Sequence, residues 1–342
     1  MIKFYKASAD ASIYLQLPNQ NTGLDGILEV GKFYTGTTKE LYRTLIKFPT
    51  SDISSSISSN EITGSWKAFL NLKSAFSTEL PLDYTLYAYP VSQSWTMGIG
   101  KKYDYITNEG VSWQYRDGVN LWQTEGATWY TSSAASQSFS YSTDDIRMDV
   151  TNIVKLWISG SIVNDGFIIK NDTTSENDSL NYGYVKFFSK ETDTIYEPKL
   201  EIVWNDSNFT TGSLLPVTGS AGDGYKVVLT NLKTKYPKDA LIQLRVKGRD
   251  SFPLKSFGTT FAYDQSKYLP TTTYYQLEDY VTGEVIYPFG EYTKVSCDSN
   301  GNYFNINLAT LPIGRTYELK IKIVENGIST IIDQKSMFEI EY

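Results

Sequence analysis

The chain has 342 residues, 41% of them hydrophobic and 20% charged, which suits an ordinary globular protein of about two domains. Its net charge of −7 works against attraction to phosphate backbones, so a nucleic-acid partner is not expected. There is no histidine, which excludes Ser-His-Asp and Cys-His catalysis and histidine-ligated zinc, iron or copper.

The first half reads as short strands. Residues 11–17 alternate around Ile13, Leu15 and Leu17, and residues 18–23 (PNQNTG) have turn chemistry. Ile27, Leu28 and Val30 open a second strand. Residues 42–48 (YRTLIKF) place Tyr42, Thr44, Ile46 and Phe48 on one face and Arg43, Leu45 and Lys47 on the other. The serine-rich run 51–59 reads as a loop. Residues 66–72 (WKAFLNL) and 84–89 (YTLYAY) are further strands, the latter bracketed by Asp83 and Pro90.

Residues 91–142 are the least regular part. Trp95, Trp113, Trp122 and Trp129 lie there among Gly, Ser, Thr and Gln. Two roles fit these rings. They plug the core beneath long loops, or they form an exposed platform that stacks on sugar rings.

One short helix is legible. Asp149 or Thr151 caps it, Ile153, Val154 and Trp157 share its apolar face, and Gly160 ends it. Strands follow at residues 167–170, 185–188 and 199–204. The composition then turns polar, small and glycine-rich from Asn205 to Gly224, which marks residues 206–224 as a linker between domains at 1–205 and 225–342. Leu214, Leu215, Pro216 and Val217 leave open whether that stretch docks on a neighbour.

The second domain carries strand patterns at 225–230, 241–247, 274–277, 284–287, 303–308, 317–324 and 328–333, with hairpin signals at Thr282-Gly283 and Asn326-Gly327. About seven strands in this span fit an immunoglobulin-like sandwich. Leu311-Pro312-Ile313-Gly314 followed by Tyr317 predicts a corner in which the tyrosine hydroxyl bonds back to the upstream backbone. Cys297, the single cysteine, reads as a strand residue and leaves no intrachain disulfide. The N-terminal residues show no signal-peptide pattern, and no run approaches the roughly 18 apolar residues of a membrane span. Folding in a reducing cytoplasm, or export by a route that the sequence does not reveal, is therefore expected, with no membrane partner.

Two stretches carry a family resemblance. ADASIYLQLPNQNTG, ILEVG, YRTLIKF, LYAYPVSQSW, MDVTNIVKLWISGSIVNDGFIIK, FFSKET and EPKLEIVW, in that order and spacing, resemble the DNRLRE-type, carbohydrate-binding-module-like jelly rolls of bacterial surface and phage structural proteins. Family members usually show Asn-Tyr-Gly where this chain has Asn21-Thr22-Gly23. The stretch KYLPTTTYYQLEDYVTGEVIYPFGEYTKVSCDSNGNYFNINLATLPIGRTYELKIKIV resembles C-terminal segments of tailed-bacteriophage structural proteins. The resemblance implies an all-β chain, an N-terminal jelly roll followed by an immunoglobulin-like sandwich. It implies a non-enzymatic virion protein of the tail, neck or baseplate, assembled in the host cytoplasm. Its partners would be other virion proteins and copies of itself. The alternative is a module that binds host envelope glycans.

Candidate site residues follow from chemistry. Carboxylates available for acid/base work in the first domain are Glu29, Asp144, Asp145, Asp149 and Glu191, and no spacing pairs two of them across a cleft. Asp165, Asn171, Asp172, Glu176, Asn177 and Asp178 cluster around one loop and are the candidate calcium ligands; the EF-hand spacing is not met, and no other cofactor is expected. Tyr274, Tyr275, Tyr280, Tyr287, Tyr292 and Tyr303 either face outward as interface anchors or line the sandwich.

Overall fold

A computed structural model describes residues 1–78, 84–107, 109–139, 145–252, 267–309 and 311–342. Asp83 and Asp144 lie outside them. The chain forms two compact units. The first comprises Phe4–Ile62 and Lys67–Ile202, and the second Met1–Lys3, Thr63–Trp66 and Val203–Tyr342. Both are β-sandwich structures, so the all-β expectation holds. Among the described residues no helix is long and apolar enough to cross a membrane.

The first unit is built on two sheets. Strands β1 (Ile2–Lys6), β5 (Trp66–Leu72), β9 (Ile146–Asp149) and β12 (Lys199–Trp204) form one, in the order β1-β12-β5-β9. The other is ordered β6-β11-β3-β4-β10-β7-β8, with β2 paired to β4 beside β3. Its strands are β2 (Ala9–Tyr14), β3 (Ile27–Tyr34), β4 (Lys39–Lys47), β6 (Ser74–Thr78), β7 (Tyr84–Pro90), β8 (Ala135–Phe139), β10 (Phe167–Asn171) and β11 (Gly183–Phe188). Central strand β4 is buried on both faces: Thr44 and Ile46 on one, Arg43 and Leu45 on the other. Its neighbour β10 is buried along its whole length, including Lys170. One face is covered by helices α1 (Thr50–Ser58) and α2 (Thr151–Ile158), where Trp157 and Phe48 pack on Phe167. The other is covered by the long connection 91–134.

Two expectations are corrected here. Residues 51–59 are not a loop but helix α1. Ile53 and Ser56 are buried, α1 packs on α2, and the Tyr5 hydroxyl bonds Ser56 Oγ at 2.9 Å. Tertiary packing overrides the poor helix propensity of serine. The strand expected to reach Leu17 stops at Tyr14, because Leu17 N–H donates to the Tyr14 carbonyl and starts a turn. Helix α2 forms where expected. Asp149 accepts the Thr151 N–H at 3.0 Å, and Gly160 ends the helix at φ +72°.

In the second unit the sheets are β13-β15-β19-β18 and β14-β21-β20-β16-β17. Their strands are β13 (Tyr225–Leu229), β14 (Lys235–Pro237), β15 (Leu241–Asp250), β16 (Thr273–Asp279), β17 (Val285–Tyr287), β18 (Ser296–Asp298), β19 (Gly301–Asn307), β20 (Thr316–Glu325) and β21 (Ile328–Glu341). Tyr275 of β16 stacks on Phe304 of β19, ring centroids 4.3 Å apart, which joins the sheets through one core. The tyrosine corner is present: Tyr317 is fully buried and its hydroxyl donates to the Pro312 carbonyl at 3.2 Å. Cys297 is buried in β18. The stretch 206–224 is held by backbone bonds. Thr210 N–H donates to Cys297, Cys297 N–H to Asn208, and Val217 N–H to Tyr268.

Asp10 of β2 is a buried carboxyl with an incomplete set of partners. Its Oδ2 accepts the Lys190 N–H at 2.6 Å, and its Oδ1 has none. Burial pushes its pKa from 3.8 to about 7, against the opposing pull of the Lys190 bond. Between those two values the native state holds a proton that the unfolded chain has released, so stability falls as pH rises from about 4 to about 7. The loss is as much as ~4 kcal/mol. Asp10→Asn should flatten this dependence and melt higher than the wild type at pH 8. Equal slopes in denaturation series at stepped pH would sink the assignment.

Candidate functional site

The tryptophans do not form an exposed platform. Trp95, Trp113 and Trp122 are buried and Trp129 is half-buried, packed with Ala11, Ile13, Leu41, Leu45 and Ile168 over the second face of the large sheet. Trp95 Nε1 donates to the Asp165 carbonyl at 2.7 Å and Trp122 Nε1 to the Ser112 carbonyl at 3.0 Å. A large ring with its one donor satisfied inside belongs to the core. In the second unit Tyr275 and Tyr287 are likewise interior. Their hydroxyls donate to the Asn305 and Asn307 carbonyls. Tyr274, Tyr292 and Tyr303 are half-exposed and Tyr280 is exposed, so the expected tyrosine face splits between core and surface.

Beneath Trp113 and Trp129 lies a buried charge network. Arg43 forms a fork with Glu176, Nε to Oε1 at 2.9 Å and Nη2 to Oε2 at 2.7 Å. Its Nη1 donates to the Gly126 carbonyl at 2.6 Å, and its guanidinium lies 4.6 Å from the Trp113 ring centre and 5.1 Å from that of Trp129. Lys170 joins Glu176 at 2.9 Å and donates to the Asn171 carbonyl. Burial lowers the Lys170 pKa, and Glu176 opposes that shift.

The calcium candidates do not converge on a cation. Glu176 is taken by Arg43 and Lys170. Asp172 caps α3 (Thr173–Asn177) by accepting from Thr174 and Ser175 N–H. Asp178 accepts from Lys32 at 2.6 Å and from the Tyr182 hydroxyl; despite the upward push of burial, those donors hold its carboxyl at about 2. Asp165 faces Lys47, and Asn177 meets Lys39. Asn171 is buried in β10. Among the described residues no group of three acidic or cysteine side chains is placed to hold a metal ion. The acid/base candidates are equally dispersed. Glu29 pairs with Lys102 and Lys186, Asp145 with Lys73, and Glu191 meets Lys190, while Asp149 accepts the Thr151 N–H just ahead of α2, whose N-cap is Val150.

Residues 99–106 form the exposed feature that sequence patterns missed. Asn21, 1% exposed, pins the base of this loop. Its Nδ2 donates to the Met97 and Val111 carbonyls at 2.7 and 2.8 Å, and its Oδ1 accepts from Gly100 N–H at 2.7 Å and Gly23 N–H at 3.2 Å. Every donor and acceptor of the amide is used. Glycines surround it of necessity. A Cβ on Gly98 would sit 2.5 Å from Asn21 Oδ1, and one on Gly23 would sit 2.4 Å from the Met97 carbonyl oxygen. Above this anchor Tyr103 is 89% and Tyr105 96% exposed, with Ile99 and Ile106 exposed beside them.

Lys102 turns back from the loop. Its ammonium lies 4.3 Å from the Tyr14 ring centre and bonds Glu29. Tyr14, Tyr42, Phe33 and Tyr184 make a continuous ring cluster, with neighbouring centroids 5.3 to 6.1 Å apart. Glu40 accepts from the Tyr42 hydroxyl at 2.6 Å and from Gln16 Nε2 at 3.0 Å. Burial and Glu40 together raise the Tyr42 hydroxyl pKa. Only Glu29 of this group was marked by residue type. The signal that could have found the anchor was Asn21 itself, in a turn followed by Gly23 and, far along the chain, Gly98 and Gly110.

No protein-family model matches the chain, and no curated protein does. Among solved structures, a DUF4785 family protein from Legionella pneumophila aligns with 100% of this chain and 65% of its own, at 8% identity and a TM-score of 0.22. The chain thus spans about two thirds of that protein's length, and a likeness this low carries no argument.

Glu176→Gln should cost roughly 3 to 5 kcal/mol, because it removes the carboxylate that Arg43 and Lys170, both buried, are paired with. Chemical denaturation measures it; a loss below about 1 kcal/mol would mean the network is not desolvated in solution.

Proposed function

We propose that the protein is a non-enzymatic structural component of a tailed-phage particle, with a jelly-roll unit followed by an immunoglobulin-like unit, built into the tail, neck or baseplate. It would be incorporated in the host cytoplasm, through interfaces with neighbouring virion proteins or copies of itself. The observation that carries this reading is the loop at 99–106. It holds two almost fully exposed tyrosines and two exposed isoleucines on a base fixed by Asn21. Aromatic anchors presented on a pre-ordered base lose little entropy on docking, which is what an assembly interface needs. The family resemblance supplies the kind of particle.

The test uses particles from a source lysate. The protein should travel with intact particles through a density gradient at constant stoichiometry, and the double variant Tyr103→Ala/Tyr105→Ala should be incorporated at least tenfold less, as loss of about 2 kcal/mol at an anchor predicts. A variant that melts like wild type and is incorporated normally removes the loop from the interface. A protein that stays in the soluble fractions removes the virion.

A second reading has its own observation. The half-buried rings of Phe33, Tyr42 and Tyr184 sit beside Gln16, Glu40 and Lys186, a mixture of ring faces and polar groups that suits a sugar. Tyr184→Ala should then weaken binding of envelope glycan several-fold, followed by calorimetry.

A further inference from the structure

Strand β21 of the second unit has 14 residues, and most of one edge has no neighbouring strand among the described residues. Strand β14 pairs with it only from Glu339 to Glu341. Further back, the place beside β21 is not taken by β13, which precedes β14 in the chain and pairs with β15 in the facing sheet. The turn Asn326-Gly327, both residues at positive φ, fixes which backbone groups point out of that edge. It makes Glu325 and Ile328 a hydrogen-bonded pair, so Ser329, Ile331 and Asp333 turn their N–H and C=O groups away from β20. The facing strand agrees: Val324, opposite Ser329, donates its N–H to the Thr272 carbonyl, on the side away from β21. Ile332 lines an apolar gap between the sheets with Val227, Leu319 and Ile321. The side chains of Ser329, Ile331 and Asp333 therefore lie on the outer face, where Ile331 is 56% exposed.

An edge of this kind accepts one more strand. We propose that it accepts the same edge of a second copy of this chain, antiparallel, about a two-fold axis at Ile331. Three observations select a second copy. The outward groups are evenly placed about Ile331, so in this register Ile331 meets its own counterpart, Ser329 meets Asp333, and each outward group finds a partner. The same register sets a hydroxyl against a carboxylate and joins two exposed isoleucines at the axis, with no like charges opposed between Ser329 and Asp333. It also fits the length of the edge. Gly327 falls opposite Lys335, so the turn of the second copy stops short of Glu339, where β14 begins. Moving the axis to Thr330 or Ile332 sets an outward group against the turn or against the irregular pairing that follows Asp333. About six residues on each side fall well short of the roughly 20 to 30 of a standard interface, so the pair is weak and concentration-dependent.

This edge is separate from the loop at 99–106, and its test does not depend on the virion reading. Sedimentation equilibrium of the full chain, taken up to about 1 mM, should show monomer passing to dimer. Residue-resolved hydrogen exchange at the two ends of that series should show the N–H groups of Ser329, Ile331 and Asp333 slowing several-fold at high concentration. Those of Thr330 and Ile332, already bonded to β20, should not change. Ile331→Lys puts two like charges on the axis and should weaken association at least tenfold while the melting midpoint holds. Where that variant misfolds, Ser329→Pro removes one outward N–H, leaves the β20 ladder intact and reads out the same loss. A chain that stays monomeric across the series overturns the proposal. So does a dimer in which the three N–H groups exchange as in the monomer, or one that both variants leave intact. Slowing of the three groups by an added lysate protein, without any dimer, overturns it in favour of a strand from another protein.

Discussion

Arg43 and Glu176 are 133 residues apart in sequence and form one buried ion pair. Around it the first unit is organised. Arg43 comes from the central strand of the large sheet, Glu176 from the short helix α3, and Gly126, Trp113 and Trp129 from the long connection above. A guanidinium taken out of water needs both a counter-charge and a full set of acceptors. Each of those comes from a different segment, so the segments are committed to one arrangement. The tryptophan rings complete the enclosure, with their faces toward the cation.

That arrangement explains how the described residues of the connection 91–134, poor in regular structure, are held in place. It has little ladder of its own. It is held by a second polar anchor, the amide of Asn21, and by tryptophans whose N–H groups find backbone carbonyls. With its inner surface spent on the sheet, its apolar residues at 99–106 have nowhere to turn but outward. The exposed tyrosines are thus a consequence of how the base is fixed. The second unit solves the same problem more simply, with alternating strands, a stacked Tyr275–Phe304 pair and a tyrosine corner.

The two units also place charge differently. In the first, Glu176 and Glu29 are each paired with two cations that are buried or half-buried. In the second, β15 sets its basic residues on the outer face by strand alternation alone. A basic row built with period two escapes a search for basic runs, because Arg245 is followed by Val246 and Lys247 by Gly248.

Many strand positions were legible from residue type and alternation, whereas β1, β6, β8, β9 and β14 formed where no strand was expected. The runs at 66–72 and 199–204 coincide with β5 and β12, and the Pro312–Tyr317 spacing gave the corner its shape. These features rest on interactions within a few residues, which the local order of side chains specifies. Helix α1 was not legible, since a serine-rich segment has no strong preference until Ile53 meets a partner surface. Nor was the fate of the tryptophans, because a ring among Gly, Ser and Thr suits a core or a surface equally. Sequence alone determined an all-β chain without histidine chemistry. Only the tertiary structure decided which rings are enclosed, which carboxylates are neutralised and which tyrosines reach solvent, because burial depends on contacts between segments a hundred or more residues apart.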